Sequence, residues 1–182
     1  MLSSMNVITL STVSIILLCF ILALVFPGRQ VLEAEPSSYA LVHVLLSIVT
    51  AGVLGVAGLQ AILLAIQERL LRHRPHGVLI QKLPSLVSME KIVFKTIAVG
   101  FLLLSFLLAS SIYFFHEELW GNPFLWQKAI LVVSAWVIFA LLLMGRHFWG
   151  WRGRKAIYGT LCGVLLLILV YFGSKLLLEG LH

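Results

Sequence analysis

Five apolar stretches divide this chain, and each reaches or approaches the roughly 20 residues that a helix needs to cross a bilayer. They run Val7 to Phe26, Tyr39 to Gln67, Ile92 to Phe115, Trp126 to Met144 and Ala156 to Leu178. The alternation of apolar and polar positions that marks an outer-membrane barrel strand is absent from them. The pattern predicts an all-α integral membrane protein, a multi-pass bundle of about five transmembrane helices. The connection Arg72 to Ser88 contains Pro75, Gly77 and Pro84, which discourage a continuous helix, and a new helix is expected to start near Ser88. Val78 to Leu86 alternates enough to lie against a membrane surface.

Composition supports this class: 61% of the 182 residues are hydrophobic and 11% charged, far from the balance of a soluble domain. The net charge of +6 does not point to nucleic acid, because the basic residues are concentrated in two connections. Arg69, Arg72, Arg74, Lys82, Lys91 and Lys95 flank the second-to-third connection, and Arg146, Arg152, Arg154 and Lys155 crowd the fourth-to-fifth. The positive-inside rule makes these cytoplasmic and the other two connections external, which places the N-terminus in the cytoplasm and the C-terminus outside. Phe148, Trp149 and Trp151, interleaved with cations in the second basic turn, suit contact with anionic membrane lipids.

Residues 1–6 carry no basic side chain and no small-x-small pattern precedes Pro27, so the first segment reads as a retained helix rather than a signal peptide. Cys19 and Cys162 lie in predicted helices without a CxxC spacing and read as core. Small residues at Ala51, Gly52, Gly55, Ala57 and Gly58, and a GxxxG at Gly159 and Gly163, mark close helix approach. A membrane-protein partner or self-association is expected through such faces, with bulky residues at Gly159 and Gly163 weakening it.

Candidate chemistry lies in the histidines. His43, His116 and His182 fall at the external ends of predicted segments, so three ligands of metal or haem type share one depth. His116 stands beside Glu117 and Glu118, where interfacial solvation is the competing account. His73 and His76 sit in a basic loop and read as solvated. Lys175 and Glu179 are spaced to pair along one helix. All seven acidic residues are glutamates, lying mainly at helix ends; Gln60 and Gln67 have no acidic partner in their helix, against a proton path. No GxSxG, HExxH or phosphate loop is present, and the chain is not expected to be an enzyme.

The run Leu41-Val42-His43-Val44-Leu45-Leu46-Ser47, the stretch Leu83-Pro84-Ser85-Leu86 leading to Met89-Glu90, the turn Gly150-Trp151-Arg152-Gly153-Arg154-Lys155-Ala156 and the ending Tyr171-Phe172-Gly173-Ser174-Lys175 resemble the cytochrome c assembly family. Within it they look most like the bacterial YpjD and HemX type. The resemblance implies an inner-membrane protein that handles haem, and a division into residues 1–38, a first helix with its external loop, and residues 39–182, the family's membrane domain. By position, His43 and His182 resemble the external histidines on either side of the family's haem-presenting motif, and His147 the histidine near the opposite face. His43 and His182 are then the axial pair for haem iron, the alternative for His43 being a hydrogen bond within the bundle. Trp120, Trp126 and Phe124 would cover the ring, and Lys128 and Lys175 would meet propionates.

The chain departs from the family in one respect: it contains no aspartate, so the Trp- and Asp-rich presenting motif is not intact. Two functions follow as expectations. One is haem binding or passage at the external face; the other is a non-catalytic accessory subunit that stabilises a larger membrane complex.

Overall fold

A computed structural model describes the backbone at 38–73, 86–121 and 123–179, with side chains placed within 39–71, 86–114 and 125–170. Four helices occupy these residues: α1 (Ser38–His73), α2 (Leu86–Gly121), α3 (Pro123–Trp149) and α4 (Arg154–Glu179). No strand occurs among the described residues. The predicted segment Val7 to Phe26, and most of the surface stretch Val78 to Leu86, lie outside them.

Each boundary has a local cause. Helix α1 stops two residues before Pro75, whose ring disfavours helical geometry in the residue ahead of it. Helices α2 and α3 are separated by a single residue, with Gly121 ending one and Pro123 beginning the other, the positions where glycine and proline suit helix termini. Between α3 and α4, Gly150 and Gly153 adopt φ of 60° and 59°, left-handed values that a side chain would strain. The Trp151 N–H then turns back to donate to the Gly145 carbonyl at 3.1 Å. A side chain on Gly145 would overlap the Trp151 indole.

Three helices, α1 over Tyr39–Leu71, α2 over Leu86–Phe114 and α3 over Leu125–Trp149, are long and apolar enough to cross a membrane. Helix α4 adds 26 residues, begun by Arg154 and Lys155. At 36 residues α1 and α2 each extend about 54 Å, beyond the roughly 30 Å of hydrocarbon, so their ends stand outside it.

The helices form an antiparallel ring in which α1 packs on α2 and α4, and α3 on α2 and α4. Tyr39 stacks on Phe114, while Leu54 lies over Gly100, which fixes the α1–α2 register. Trp136 donates from Nε1 to Ser105 at 2.8 Å and stacks on Phe101, which fixes α2–α3. Gly58 meets Val164 and closes the ring between α1 and α4. Leu54, Ile97, Leu104, Phe139 and Leu142 fill the centre. With lipid as apolar as leucine, this contact is held by close packing rather than by a hydrophobic drive.

The GxxxG pair is used differently from expectation. Gly159 faces Leu142 and Gly163 faces Phe139, so both serve the α3–α4 contact inside the chain rather than an outer assembly surface. A Cβ on Gly163 would press into the Phe139 ring, which is fully buried and has nowhere to move. Gly163→Leu is therefore expected to cost about 2 kcal/mol of stability through overpacking. Thermal unfolding in detergent checks this, with Cys162→Leu on the exposed side of the same turn expected to leave the midpoint unchanged.

Candidate functional site

At the end of the bundle formed by the start of α1 and the far part of α2, His43 is half-buried and its Nδ1 lies 2.9 Å from Ser110 Oγ. The Ser110 hydroxyl gives its hydrogen to the Leu107 carbonyl at 2.8 Å. With the Ser110 hydrogen on the Leu107 carbonyl, the imidazole would donate from Nδ1 and leave Nε2 as the acceptor nitrogen; either ring nitrogen of a neutral imidazole can bind a metal. One turn further out, the Tyr39 and Phe114 rings stack at 4.8 Å, and Tyr113 meets Phe114 edge-on at 4.9 Å. The hydrogen bond within the bundle, the alternative reading for His43, is thus the contact observed; an imidazole oriented by a second group near aromatic rings is also chemically compatible with a haem iron.

The sequence placed three histidines at one depth, and here the structure revises the picture. His43 is level with Ser110, and His116 lies six residues further along α2, about 9 Å nearer the helix end at 1.5 Å per residue. Helix α2 continues past the hydrophobic segment to Gly121, so the two histidines share an end of the bundle but not a depth. The backbone places His116 and Trp120 on the last turns of α2, with their side chains outside the described set, and His182 is outside it altogether. Trp126 is 44% exposed at the start of α3, and Lys128 one half-turn on is half-buried. His147 lies at the other end of α3, about 32 Å from Trp126 along the axis, where it meets Phe148 edge-on at 5.0 Å. It shares no site with His43. No group of three or more His, Cys, Asp or Glu that could hold a metal ion occurs among the described residues.

The opposite end holds a constellation that sequence reasoning missed. Arg146 Nη1 donates to Glu90 Oε1 at 2.5 Å, with side chains 23% and 10% exposed. The same guanidinium lies 4.6 Å from the centre of the Phe94 ring and donates to the Trp151 carbonyl at 3.3 Å. One ion pair thus joins α2, the end of α3 and the following turn. The signal was available: a helix starting near Ser88 already carries Glu90 at the edge of an apolar span, where it requires a partner. Around it, Trp149 and Trp151 stack at 6.0 Å, Lys155 Nζ sits 5.3 Å over Trp151, and Arg154 donates to the Tyr158 hydroxyl at 3.3 Å. That bond holds the Arg154 guanidinium pKa above its ordinary value. Exposed aromatics interleaved with cations suit the headgroup layer.

The family described as Cytochrome C assembly protein matches residues 1–182. The Inner membrane protein YpjD of Escherichia coli (strain K12) is 30% identical over 155 residues, 85% of this chain and 58% of that protein. The Cytochrome c biogenesis protein CcsA of Prochlorococcus marinus (strain MIT 9303) is 33% identical over 96 residues, 52% of this chain and 30% of that protein. The chain thus spans little more than half the length of the first relative and less than a third of the second. No solved structure matches it.

Proposed function

This chain belongs to the cytochrome c assembly family, and from that membership we propose that it binds or passes haem at the external face of the bacterial inner membrane, with His43 as an axial ligand. The observation that supports the reading is the His43–Ser110 bond, which orients an imidazole in the α1–α2 contact of an apolar bundle. When bound, haem would supply an iron that takes imidazole ligands and propionates that take cations. His43 would occupy one axial position and His182 the other, with His116 the competing second ligand. Trp120 and Trp126 would cover the ring, and Lys128 and Lys175 would meet the propionates. The chain carries the cofactor without transforming it. On this reading residues 1–38 would be a first unit, a helix with its outer loop, and 39–182 the haem-handling domain.

This reading sets the basic end, with the Arg146 to Lys155 turn, in the cytoplasm and the His43 end outside, with the N-terminus cytoplasmic. In a chain lacking Cys19 and Cys162, a cysteine at His76 is expected to label only from the cytoplasmic side and one at Asn122 only from the external side. Labelling of both from one side removes the topology.

The missing aspartate motif favours a second reading, a non-catalytic accessory subunit of a larger membrane complex. An absorption spectrum separates the two. Haem binding gives a Soret band with sharp visible bands on reduction; protein from haem-replete cells with no Soret band, and no change on adding hemin, leaves the accessory role.

A further inference from the structure

Helix α1 buries one side against α2 and α4 and leaves the other open. On the open side Leu45, Ile48, Leu59 and Ile62 are exposed, and Gly52 and Gly55 form a notch midway along it. A Cβ built on either glycine meets nothing within 4 Å, whereas Gly58, one turn on and facing α4, meets Val164. The notch thus has no use within the ring, although glycine inside a helix costs up to about 1 kcal/mol relative to alanine.

We propose that this face of α1 is the docking surface for the chain's own N-terminal apolar segment, Val7 to Phe26, seated with Ser11 and Ser14 in the Gly52–Gly55 notch. Two observations point to that occupant, the tether and the spacing of small residues. The segment has the length to cross a bilayer beside α1, and it is tethered to α1 by only the residues between Phe26 and Ser38, which favours an antiparallel neighbour over a distant one. The register this assigns would set Phe26 level with Ala40 across the turn, Ser14 opposite Gly52 and Ser11 opposite Gly55. The spacings agree. Ser11 and Ser14, like Gly52 and Gly55, are three residues apart and share one helix face, so two small pairs interlock. Small residues on both sides let backbones approach, and a serine hydroxyl in lipid gains a carbonyl partner across the contact.

Cross-linking in native membranes tests this on the full chain. With Cys19 and Cys162 changed to serine, the pairs Ser14→Cys with Gly52→Cys, and Ser11→Cys with Gly55→Cys, are expected to form disulfides within one chain on oxidation with copper phenanthroline. The readout is loss of labelling by a polyethylene-glycol maleimide at monomer mass. Formation should exceed, on the order of tenfold, that of Ser14→Cys with Val137→Cys, a site of similar depth exposed on α3 across the ring. Equal cross-linking to Val137→Cys would overturn the proposal. So would a disulfide-linked dimer from Gly52→Cys alone, which makes a second copy the occupant. A Gly52→Cys thiol that reacts fully with an apolar maleimide in the otherwise intact chain would make lipid the occupant. As an independent measurement, Ser11→Leu with Ser14→Leu is expected to raise the reactivity of that thiol; an unchanged rate counts against the notch.

Discussion

Glu90→Ala is expected to destabilise the bundle by about 3 kcal/mol, because it leaves the Arg146 guanidinium among α2, α3 and the Trp151 turn without its counter-charge. The value lies at the low end for a broken buried pair, since Arg146 remains partly exposed and reaches water. Arg146→Ala should cost at least as much: it strands Glu90 and also removes the contact with Phe94 and the bond to the Trp151 carbonyl. The double variant Glu90→Leu with Arg146→Met should lose less than the two single effects combined, by on the order of 2 kcal/mol, as expected for partners in direct contact. Unfolding in detergent, followed by heat or by titration with sodium dodecyl sulfate, reads all of these. Single variants with wild-type midpoints would show that the pair contributes nothing.

The second large effect concerns the haem reading. His43→Ala is expected to abolish the low-spin Soret band, because it removes the proposed ligand that Ser110 orients. Ser110→Ala should keep the band but weaken hemin affinity by about 10- to 100-fold, the cost of releasing a ligating histidine from its orienting partner. His147→Ala, at the opposite end of α3, should change neither. His116→Ala and His182→Ala decide the second axial position, since only the true ligand's loss converts the spectrum to high spin. A His43→Ala protein with an unaltered spectrum would take His43 out of the site.

Much of the fold was legible from hydrophobic runs, because a helix in lipid satisfies its backbone alone and needs only length and apolarity to be recognised. The segment ends were less so. The apolar run begins only at Ile92, because Glu90 and Lys91 interrupt it; the helix start expected near Ser88 lies at Leu86, and what the sequence did not reveal is that Glu90 turns inward to Arg146. Register between helices has no sequence signature. His43 stood out as a polar residue in an apolar run, while Ser110 did not, since their meeting depends on how α1 and α2 slide past each other. The same holds for Gly159 and Gly163: their smallness announced a close contact, and only the packing identifies its partner as α3. The family resemblance named haem, and what the structure adds is the partner of His43, Ser110.

The ring arrangement has a consequence for how the protein is made. Helices α2, α3 and α4 follow one another through connections of one and four residues, so each can pair with its predecessor as soon as it leaves the ribosome. The contact between Gly58 and Val164 joins the earliest of the four helices to the latest. Synthesis must therefore hold α1 at its post, one flank vacant, through three further membrane insertions, and the ring shuts only when α4 arrives. A chain stopped within α3 would lack the Gly58–Val164 contact and leave α1 paired only with α2 among these four helices.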